Sequence, residues 1–324
     1  MRAEELHLRR WAKTIRRAAM GAAAAAFVLA AIPVHGQVLV NDTWKDGTRT
    51  DPLPPVYSER GVDADVDGDL ESAWLQGGDG TLEAIGAGGP LRGQFSTTTG
   101  NASASWTTYF TPEATPITLA QQETMRITWV FTPTNVNTSN TSQGFRLAVV
   151  DTPSAARVES GAPADGAYTG YGMFMNMGQT LGHSGSFRLM ERNIASGNLL
   201  SSSGNWAALG TTGATSGNDG YDNGAQYTLT MDFTRTLADE LAITARMSGI
   251  GLDNDGLAEV QFTDTTPHGG SFTFDTFALR PSSALITAGT FDTSLFKVEH
   301  IVPEPTSLAL LGLGGLALLR RRAR

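Results

Sequence analysis

The sequence contains no cysteine among its 324 residues. Disulfides, thiolate nucleophiles, thiolate-ligated zinc sites and iron–sulfur clusters are therefore excluded. Charged residues make up only 17% of the chain, whereas its 37 glycines and abundant serine and threonine indicate many turns rather than a helical bundle. A chain of this length can bury a large core without covalent staples, and it has room for one large or two ordinary domains.

The N-terminal segment has the three parts of a secretory signal peptide. Five basic residues between positions 9 and 17 precede an apolar run from Ala18 to Ile32, and short residues follow at Val34 and Gly36. We therefore predict a signal peptide over residues 1–36. An N-terminal membrane anchor is the alternative, but the apolar run is shorter than the about 20 residues of a bilayer span.

The C-terminal segment, residues 303–324, also has three parts. Its first part, Pro303-Glu304-Pro305, resists helix formation because proline lacks an amide hydrogen. The residues from Ser307 to Leu319 are uncharged and mostly Leu, Ala and Gly, and they predict a short hydrophobic helix. Such a helix reaches about 20 Å, less than the roughly 30 Å hydrocarbon core. The closing arginines can snorkel to extend this reach, and the positive-inside rule holds them in the cytoplasm. These are Arg320, Arg321, Arg322 and Arg324.

This arrangement resembles the PEP-CTERM sorting signal, also called the ice-binding-protein C-terminal motif. The matching residues are Val302–Pro305, Leu308–Leu319 and the arginines that follow. The resemblance implies a protein of the Gram-negative envelope that is exported through the inner membrane. It also implies processing near Pro303-Glu304-Pro305 by a membrane exosortase, with release or attachment outside the cell. It implies nothing about ice, and a plain tail anchor is the alternative.

The body between the two ends, residues 37–302, is strongly acidic. It contains 13 basic and 29 acidic side chains, which give a net charge of −16. Such a body repels nucleic acid and anionic lipid surfaces, so we expect no nucleic-acid partner. The charge suits cations or neutral sugars, although acidity alone is more commonly a solubility feature.

Apolar and polar residues alternate with period two along much of the body, as in Gln226–Thr234 and Leu241–Ser248. This alternation is typical of strands that pack on a core by one face. We predict an all-β fold, an antiparallel β-sandwich, with a hairpin turn at Leu237–Glu240 and long surface loops at 37–100 and 151–170. The other candidate strands are Trp106–Phe110, Arg126–Thr132, Phe145–Val150, Gly172–Asn176, Phe187–Glu191, Ala258–Thr263, Phe272–Leu279 and Leu295–Val298.

The body resembles the concanavalin A-like jelly roll of the laminin-G and lectin type. The segments that carry the resemblance are Gly170–Phe174, Arg188–Arg192, Tyr227–Phe233, Phe274–Leu279 and Phe291–Glu299. This resemblance implies a fold that hosts sugar-binding modules, glycosidases and polysaccharide lyases. The fold therefore does not decide between binding and catalysis.

No catalytic motif stands out in the body. Retaining glycosidases need two carboxylates at nucleophile and acid distances, and the nearest run, Asp67–Glu71, lies in a glycine-containing acidic loop. Lyases need a Tyr or His base beside a group that neutralises the uronate, and Arg188–Arg192 supplies charges only. The histidines at 183, 268 and 300 have no metal-ligand spacing. We predict a non-catalytic body, with a polysaccharide lyase or glycoside hydrolase as the alternative and a purely structural matrix protein as the second.

The best chemical candidate is a calcium site in the acidic run that begins at Asp63. Asp at positions one, three and five, Gly68 at six and an aliphatic residue at eight match the start of a calcium loop. Trp74 occupies the twelfth position, where a bidentate Glu is expected, and nearby prolines and glycines disfavour flanking helices. A solvated acidic loop is the alternative. The predicted ligands are Asp63, Asp65, Asp67 and Asp69.

Two tryptophans are candidate ligand contacts. Trp74 and Trp206 lie in glycine- or serine-rich surroundings and are predicted to stack on sugar rings, whereas Trp129 alternates with Ile127 and Phe131 and is expected in the core. The sequence thus predicts an exported, exosortase-processed surface or matrix protein. Its expected role is adhesion or contact with glycans such as an extracellular polysaccharide.

Overall fold

The structure is a computed structural model of the chain. It describes residues 34–95, 103–138, 142–153, 156–158, 161, 163–164, 166–180, 187–194, 196–201, 203–212, 220–252, 255–281 and 287–303. Most of the predicted signal peptide and residues 304–324, with the predicted hydrophobic helix, lie outside these ranges. Within them, no helix has the length and apolarity needed to cross a membrane.

The described ranges contain seventeen strands and two short 3-10 segments, at Ser203–Asn205 and His268–Gly270. The strands are β1 (Val34–Asp42), β2 (Trp74–Gly78), β3 (Thr81–Ala84), β4 (Leu91–Gln94), β5 (Ala104–Tyr109), β6 (Ile117–Thr118), β7 (Thr124–Thr134), β8 (Phe145–Asp151), β9 (Thr169–Met175), β10 (Phe187–Arg192), β11 (Trp206–Thr212), β12 (Tyr227–Leu237), β13 (Glu240–Ser248), β14 (Leu257–Asp264), β15 (Thr273–Phe274), β16 (Thr276–Pro281) and β17 (Thr290–Pro303).

Fifteen of these strands form two facing sheets. The eight-stranded sheet has the order β14-β13-β12-β7-β17-β4-β3, with β1 also paired to β17, and the seven-stranded sheet has the order β11-β10-β9-β8-β16-β5-β2. Neighbours along both orders are antiparallel. The predicted all-β antiparallel sandwich is confirmed, and so is the hairpin at Leu237–Glu240, which joins β12 to β13.

The main core lies between the sheets and is built by the alternation read from the sequence. Along β7, every second residue from Met125 to Pro133 is buried, and β12 repeats the pattern from Tyr227 to Phe233. These side chains meet Phe145, Leu147 and other residues of the seven-stranded sheet in one apolar cluster. Removing this apolar surface from water is the dominant favourable contribution to folding.

The seven-stranded sheet is buried on its outer face as well. Ala148, Phe174 and Met190 of this sheet pack against Ala156 and Tyr168, which lie in the connection between β8 and β9. The expectation that 151–170 is a surface loop is therefore wrong for this part of it. Because both faces of this sheet are covered, β5 is buried along its whole length, including its polar residues Ser105, Thr107 and Thr108.

The N-terminal part of the body is also more ordered than the sequence indicated. Residues 37–100, expected to be surface loops, contain most of β1 and the whole of β2, β3 and β4. Trp44, in the loop after β1, is 1% exposed and lies 6.5 Å from Trp74, ring centre to ring centre. The expectation failed because turn residues separate strands too short to show a period.

Candidate metal centre

The acidic segment, residues 63–71, is held against β1. The Asn41 amide donates to the Leu70 carbonyl at 2.8 Å, and Ser58 and Ser72 form a second isolated bridge. Between these bridges the chain turns at Gly68, whose φ of 96° is accessible to glycine but unfavourable for other residues. Asp63 closes the turn, because its carboxylate accepts hydrogen bonds from the amides of Val66 and Gly68.

Glu71 is the meeting point of two groups of carboxylates. Asp46, Asp67 and Glu71 each offer one oxygen, and these atoms lie within 4.8 Å of one another. Asp51, Asp65 and Glu71 form a second group by the same measure. A third group, which does not include Glu71, is formed by Glu59, Asp63 and Asp65. The three groups together are called the carboxylate cluster. Groups of hard carboxylate oxygens are the ligands that calcium prefers.

Burial makes the negative charge of this region costly. Glu71 is 3% exposed, and its burial, followed by the nearby Asp46 and Asp42, raises its pKa to about 9. Burial also raises the pKa of Asp42 well above its usual range, with Asp69 contributing in the same direction. A protonated carboxyl relieves this repulsion, and so does a bound cation.

Two carboxylate oxygens of the acidic segment are buried without a hydrogen-bond donor among the described residues. These atoms are Oδ2 of Asp67 and Oδ1 of Asp69. The other Asp69 oxygen accepts hydrogen bonds of 2.7 Å from both the amide and the hydroxyl of Thr43. Burial acts to raise the pKa of Asp69, but the hydrogen bonds from Thr43, with further ones from Asp67 and the Lys45 backbone, outweigh it and lower the pKa.

The basic side chains of this region do not neutralise the cluster. Residues 37–72 contain nine acidic side chains but only three basic ones. Of these three, Lys45 donates to the Gly68 carbonyl and Arg49 to the Trp74 carbonyl. In the part of the chain that the structure describes, neither of them forms an ion pair with the carboxylates of the cluster. The donor set therefore fits a hard divalent cation such as Ca²⁺.

The four predicted ligands do not converge on one point. Asp65 and Asp67 lie in the groups around Glu71, Asp63 groups with Glu59 and Asp65, and Asp69 binds Thr43 instead. The residues that sequence reasoning missed are Glu71, Asp46, Asp51 and Glu59. Glu71 has a visible signal, since it continues the every-second-residue series of Asp67 and Asp69, but the other three are brought in only by folding.

The two predicted sugar-stacking tryptophans are both buried. Trp74 is 1% exposed and makes edge contacts with Phe277 and Phe296. Trp206 is 5% exposed, and its indole nitrogen donates to the Leu199 carbonyl at 3.1 Å. The expectation that their rings face solvent is therefore wrong. Glycine and serine neighbours did not indicate exposure because the adjoining segments pack over both rings.

One carboxyl pair outside the acidic segment resembles a catalytic arrangement. Glu191 of β10 approaches Asp264 at the end of β14, and Tyr171 donates to Asp264 Oδ2 at 2.8 Å. Burial, together with Asp264, raises the pKa of Glu191 to about 7. Tyr171, however, is 1% exposed and burial raises its pKa. It is therefore out of reach as a general base, and the hydrogen bond serves to link the two sheets.

In a comparison with known protein families, the PEP-CTERM protein-sorting motif matches residues 302–323, so the predicted sorting signal is confirmed. No curated protein matches the chain in sequence. Among solved structures the chain is similar to peanut lectin with a 9mer peptide, at 8% identity and a TM-score of 0.41, covering 83% of this chain and 99% of the lectin.

Two further solved structures are also similar to the chain. The VIP36 exoplasmic/lumenal domain, in its Ca²⁺/Man-bound form, has 13% identity and a TM-score of 0.40, with coverage of 76% of this chain and 87% of that domain. The carbohydrate recognition domain of Emp46p, in its metal-free form, has 13% identity and a TM-score of 0.40, with coverage of 78% and 97%. The chain thus carries a PEP-CTERM sorting signal at the end of an antiparallel β-sandwich.

Proposed function

We propose that the chain is exported through the inner membrane of a Gram-negative envelope and processed by an exosortase at Pro303-Glu304-Pro305. Its body then acts without catalysis at the cell surface or in extracellular polymer, by adhesion or contact with glycans. The observation that carries the proposal is where the sorting motif begins. β17 ends at Pro303, and its last register pair with β7 joins Ile301 to Thr124. A cut after Pro303 therefore leaves the pairing of β17 with β7 intact.

The processing step is tested by replacing Pro303, Glu304 and Pro305 with alanine in the native host. The precursor is expected to accumulate in the inner membrane, while the wild-type product leaves it with a new C-terminus. Fractionation and mass spectrometry of the C-terminal peptide measure both. Recovery of an extracellular product that still ends in Arg320–Arg324 contradicts the proposal.

We also propose that the body binds Ca²⁺ through Glu71 with Asp46, Asp67, Asp51 and Asp65. The support is the convergence of their oxygens, the buried Oδ2 of Asp67 without a donor among the described residues, and the burial of Glu71. A weak extracellular site with a Kd of about 10⁻⁴–10⁻³ M would raise Tm by about 3–10 °C in about 10 mM Ca²⁺.

The test of this site is the variant Glu71→Gln, measured by thermal unfolding with Ca²⁺ and with chelator. Glutamine resembles the protonated glutamate, so Tm in chelator should stay close to that of the wild type while the increase with Ca²⁺ is lost. Asp239→Asn, at the exposed turn between β12 and β13, is the matched control and should keep the increase. Wild-type melting curves that are identical in Ca²⁺ and chelator rule out the site.

The role of the body is tested by incubating it with anionic and neutral polysaccharides. Retention without cleavage supports glycan contact. New reducing ends or the absorbance of an unsaturated uronate would show a hydrolase or a lyase. If neither binding nor cleavage occurs, the body is a structural matrix protein and the glycan proposal is wrong.

A further inference from the structure

Three arginines lie in a row at one end of the seven-stranded sheet, on its outer face. Arg146 of β8 and Arg280 of β16 are directly opposite each other in the antiparallel register. On the other side of Arg146, the register leads through Phe174 of β9 to Arg188 of β10. Since neighbouring strands are about 4.8 Å apart, the row from Arg280 to Arg188 spans about 14 Å.

All three side chains are half-buried, and their identified partners are uncharged. Arg146 donates to the carbonyls of Leu200 and Ser201 at 2.8 and 3.0 Å, and its guanidinium lies 5.0 Å from the centre of the Phe174 ring. Arg280 donates to the Ser103 hydroxyl at 2.8 Å. The Nε of Arg188 is buried and no acceptor among the described residues reaches it.

Like charges placed directly opposite on neighbouring strands destabilise a sheet, and burial increases the cost. Burial lowers the pKa of both Arg146 and Arg280, and Arg280 lowers the pKa of Arg146 further. Arginine nevertheless stays protonated in proteins, so the two charges persist side by side.

No carboxylate among the described residues pairs with this row. In the described ranges, no carboxylate forms an ion pair with any of the three arginines. Each arginine lies one residue from the end of its strand. The sequences of four adjoining connections, 96–103, 135–144, 176–186 and 282–289, contain no Asp or Glu, although the body has 29 acidic residues. Among the described residues, the positive charge of the row is therefore left without a counter-charge.

A recess beside Arg280 gives such a charge a place to bind. It has a volume of about 170 Å³, and its polar lining includes Ser103, Ser105, Asn198, Ser201 and Arg280. Since a water occupies about 30 Å³, this space takes several waters, or a carboxylate with part of the ring that bears it. Hydroxyl, amide and guanidinium groups are the donors that a carboxylated sugar requires.

We propose that Arg146, Arg280 and Arg188 form an anion site for the carboxylates of an acidic polysaccharide, a polyuronate. This inference rests on the proposed contact with glycans and names the class of glycan. A polymer with regularly repeated carboxylates can engage successive arginines of a row. The net charge of −16 opposes any polyanion, but an oligosaccharide contacts only the row, whereas an anionic lipid surface brings the whole body against charge of the same sign.

The experiment measures binding of a short oligogalacturonate by calorimetry, with its carboxyl-reduced, neutral form as the matched ligand. Chelator is present so that the acidic segment binds no cation. The expected result is that the wild-type body binds the acidic form and that Arg146→Gln with Arg280→Gln weakens binding about tenfold or more. Arg188→Gln alone should weaken it less, since Arg188 lies at the far end of the row from the recess beside Arg280. Arg246→Gln is the control, because it removes one positive charge from the other sheet, where Arg246 contacts Glu259.

Folding of the double variant is checked by its Tm, which should equal or exceed that of the wild type because a repulsion is removed. Binding of acidic and neutral forms with equal affinity, unchanged in the arginine variants, overturns the inference and leaves glycan contact standing. A Tm increase with sulfate alone, without oligogalacturonate binding, reduces the row to a site for small anions and overturns the polyuronate assignment. No binding of any polysaccharide overturns both the inference and the proposed contact with glycans.

Discussion

The outer faces of the two sheets differ in which residues lie opposite their arginines. On the eight-stranded sheet, Arg92, Arg126 and Arg246 each have a carboxylate directly opposite on the neighbouring strand, and each forms an ion pair with it. On the seven-stranded sheet, the residue directly opposite Arg146 is Arg280. On the first face each of these arginines is neutralised by a carboxylate. On the second face the two arginines have no carboxylate partner among the described residues and lie beside a recess. The same residue type therefore supports the fold on one face and offers a binding group on the other.

The β8–β9 connection covers the outer face of the seven-stranded sheet and is called its cover. Removing the buried ion pair that fixes this cover should have the largest effect on stability. Arg157 and Asp275 are 2.7 Å apart, with side chains 3% and 4% exposed, and Arg157 lies 4.6 Å from the centre of the Tyr109 ring. Arg157→Gln leaves a buried carboxylate unpaired and should lower the free energy of unfolding by about 3–5 kcal/mol. Urea denaturation measures the loss.

The matched control for that loss lies on the other sheet. Arg126 makes two hydrogen bonds of 2.7 Å to Asp232, but both side chains are partly exposed. Arg126→Gln should therefore cost no more than about 1 kcal/mol. Equal losses for the two variants would show that the pair on the seven-stranded sheet has no special role in fixing its cover. Adding Asp275→Asn to Arg157→Gln should recover part of the stability, because the unpaired charge is removed.

A smaller effect is expected from the carboxyl pair that joins the two sheets. Burial raises the folded-state pKa of Glu191 from 4.5 to about 7, so its proton stabilises the fold fully below about pH 4.5. This stability is lost as the pH rises through 7. Glu191→Gln keeps a neutral group, so its stability relative to the wild type should rise between about pH 5 and pH 8. A constant difference across this range contradicts the assignment.

The smallest effect concerns the arginine row itself. Arg280→Glu places opposite charges on the two strands, as on the other sheet, and should increase the free energy of unfolding by about 0.2–1 kcal/mol. The same change should abolish oligogalacturonate binding. A loss of stability would indicate that Arg280 already has a carboxylate partner, and the contrast between the two sheets would disappear.

The sequence predicted strands well where one face of a strand meets water. Gln226–Thr234 and Leu241–Ser248 were recognised because polar and apolar residues alternate, and they lie in β12 and β13 of the eight-stranded sheet. The short strands β2, β3 and β4 were not predicted because runs of four or five residues are too short to show a period. Local pattern contains no information about a neighbour that arrives from far along the chain.

The candidate metal site was likewise predictable from the sequence only in part. The run of aspartates and Gly68 predicted a cation site, because the ligand type and the turn are local properties. The central role of Glu71 and the participation of Asp46 and Asp51 depend on the fold, which brings their oxygens together with those of Asp65 and Asp67. Burial of Trp74 and Trp206 likewise depends on segments that cover them and is not visible in their neighbours.

Local sequence by itself determined the sorting signal, the acidity of the body and the alternation that predicts strands, since each depends on residues adjacent along the chain. Tertiary structure alone decided which charges meet. Strand register placed Arg146 opposite Arg280, and a covering loop buried the face on which they lie. The physical reason is that charge interactions act across short distances in space, and only the folded chain sets those distances.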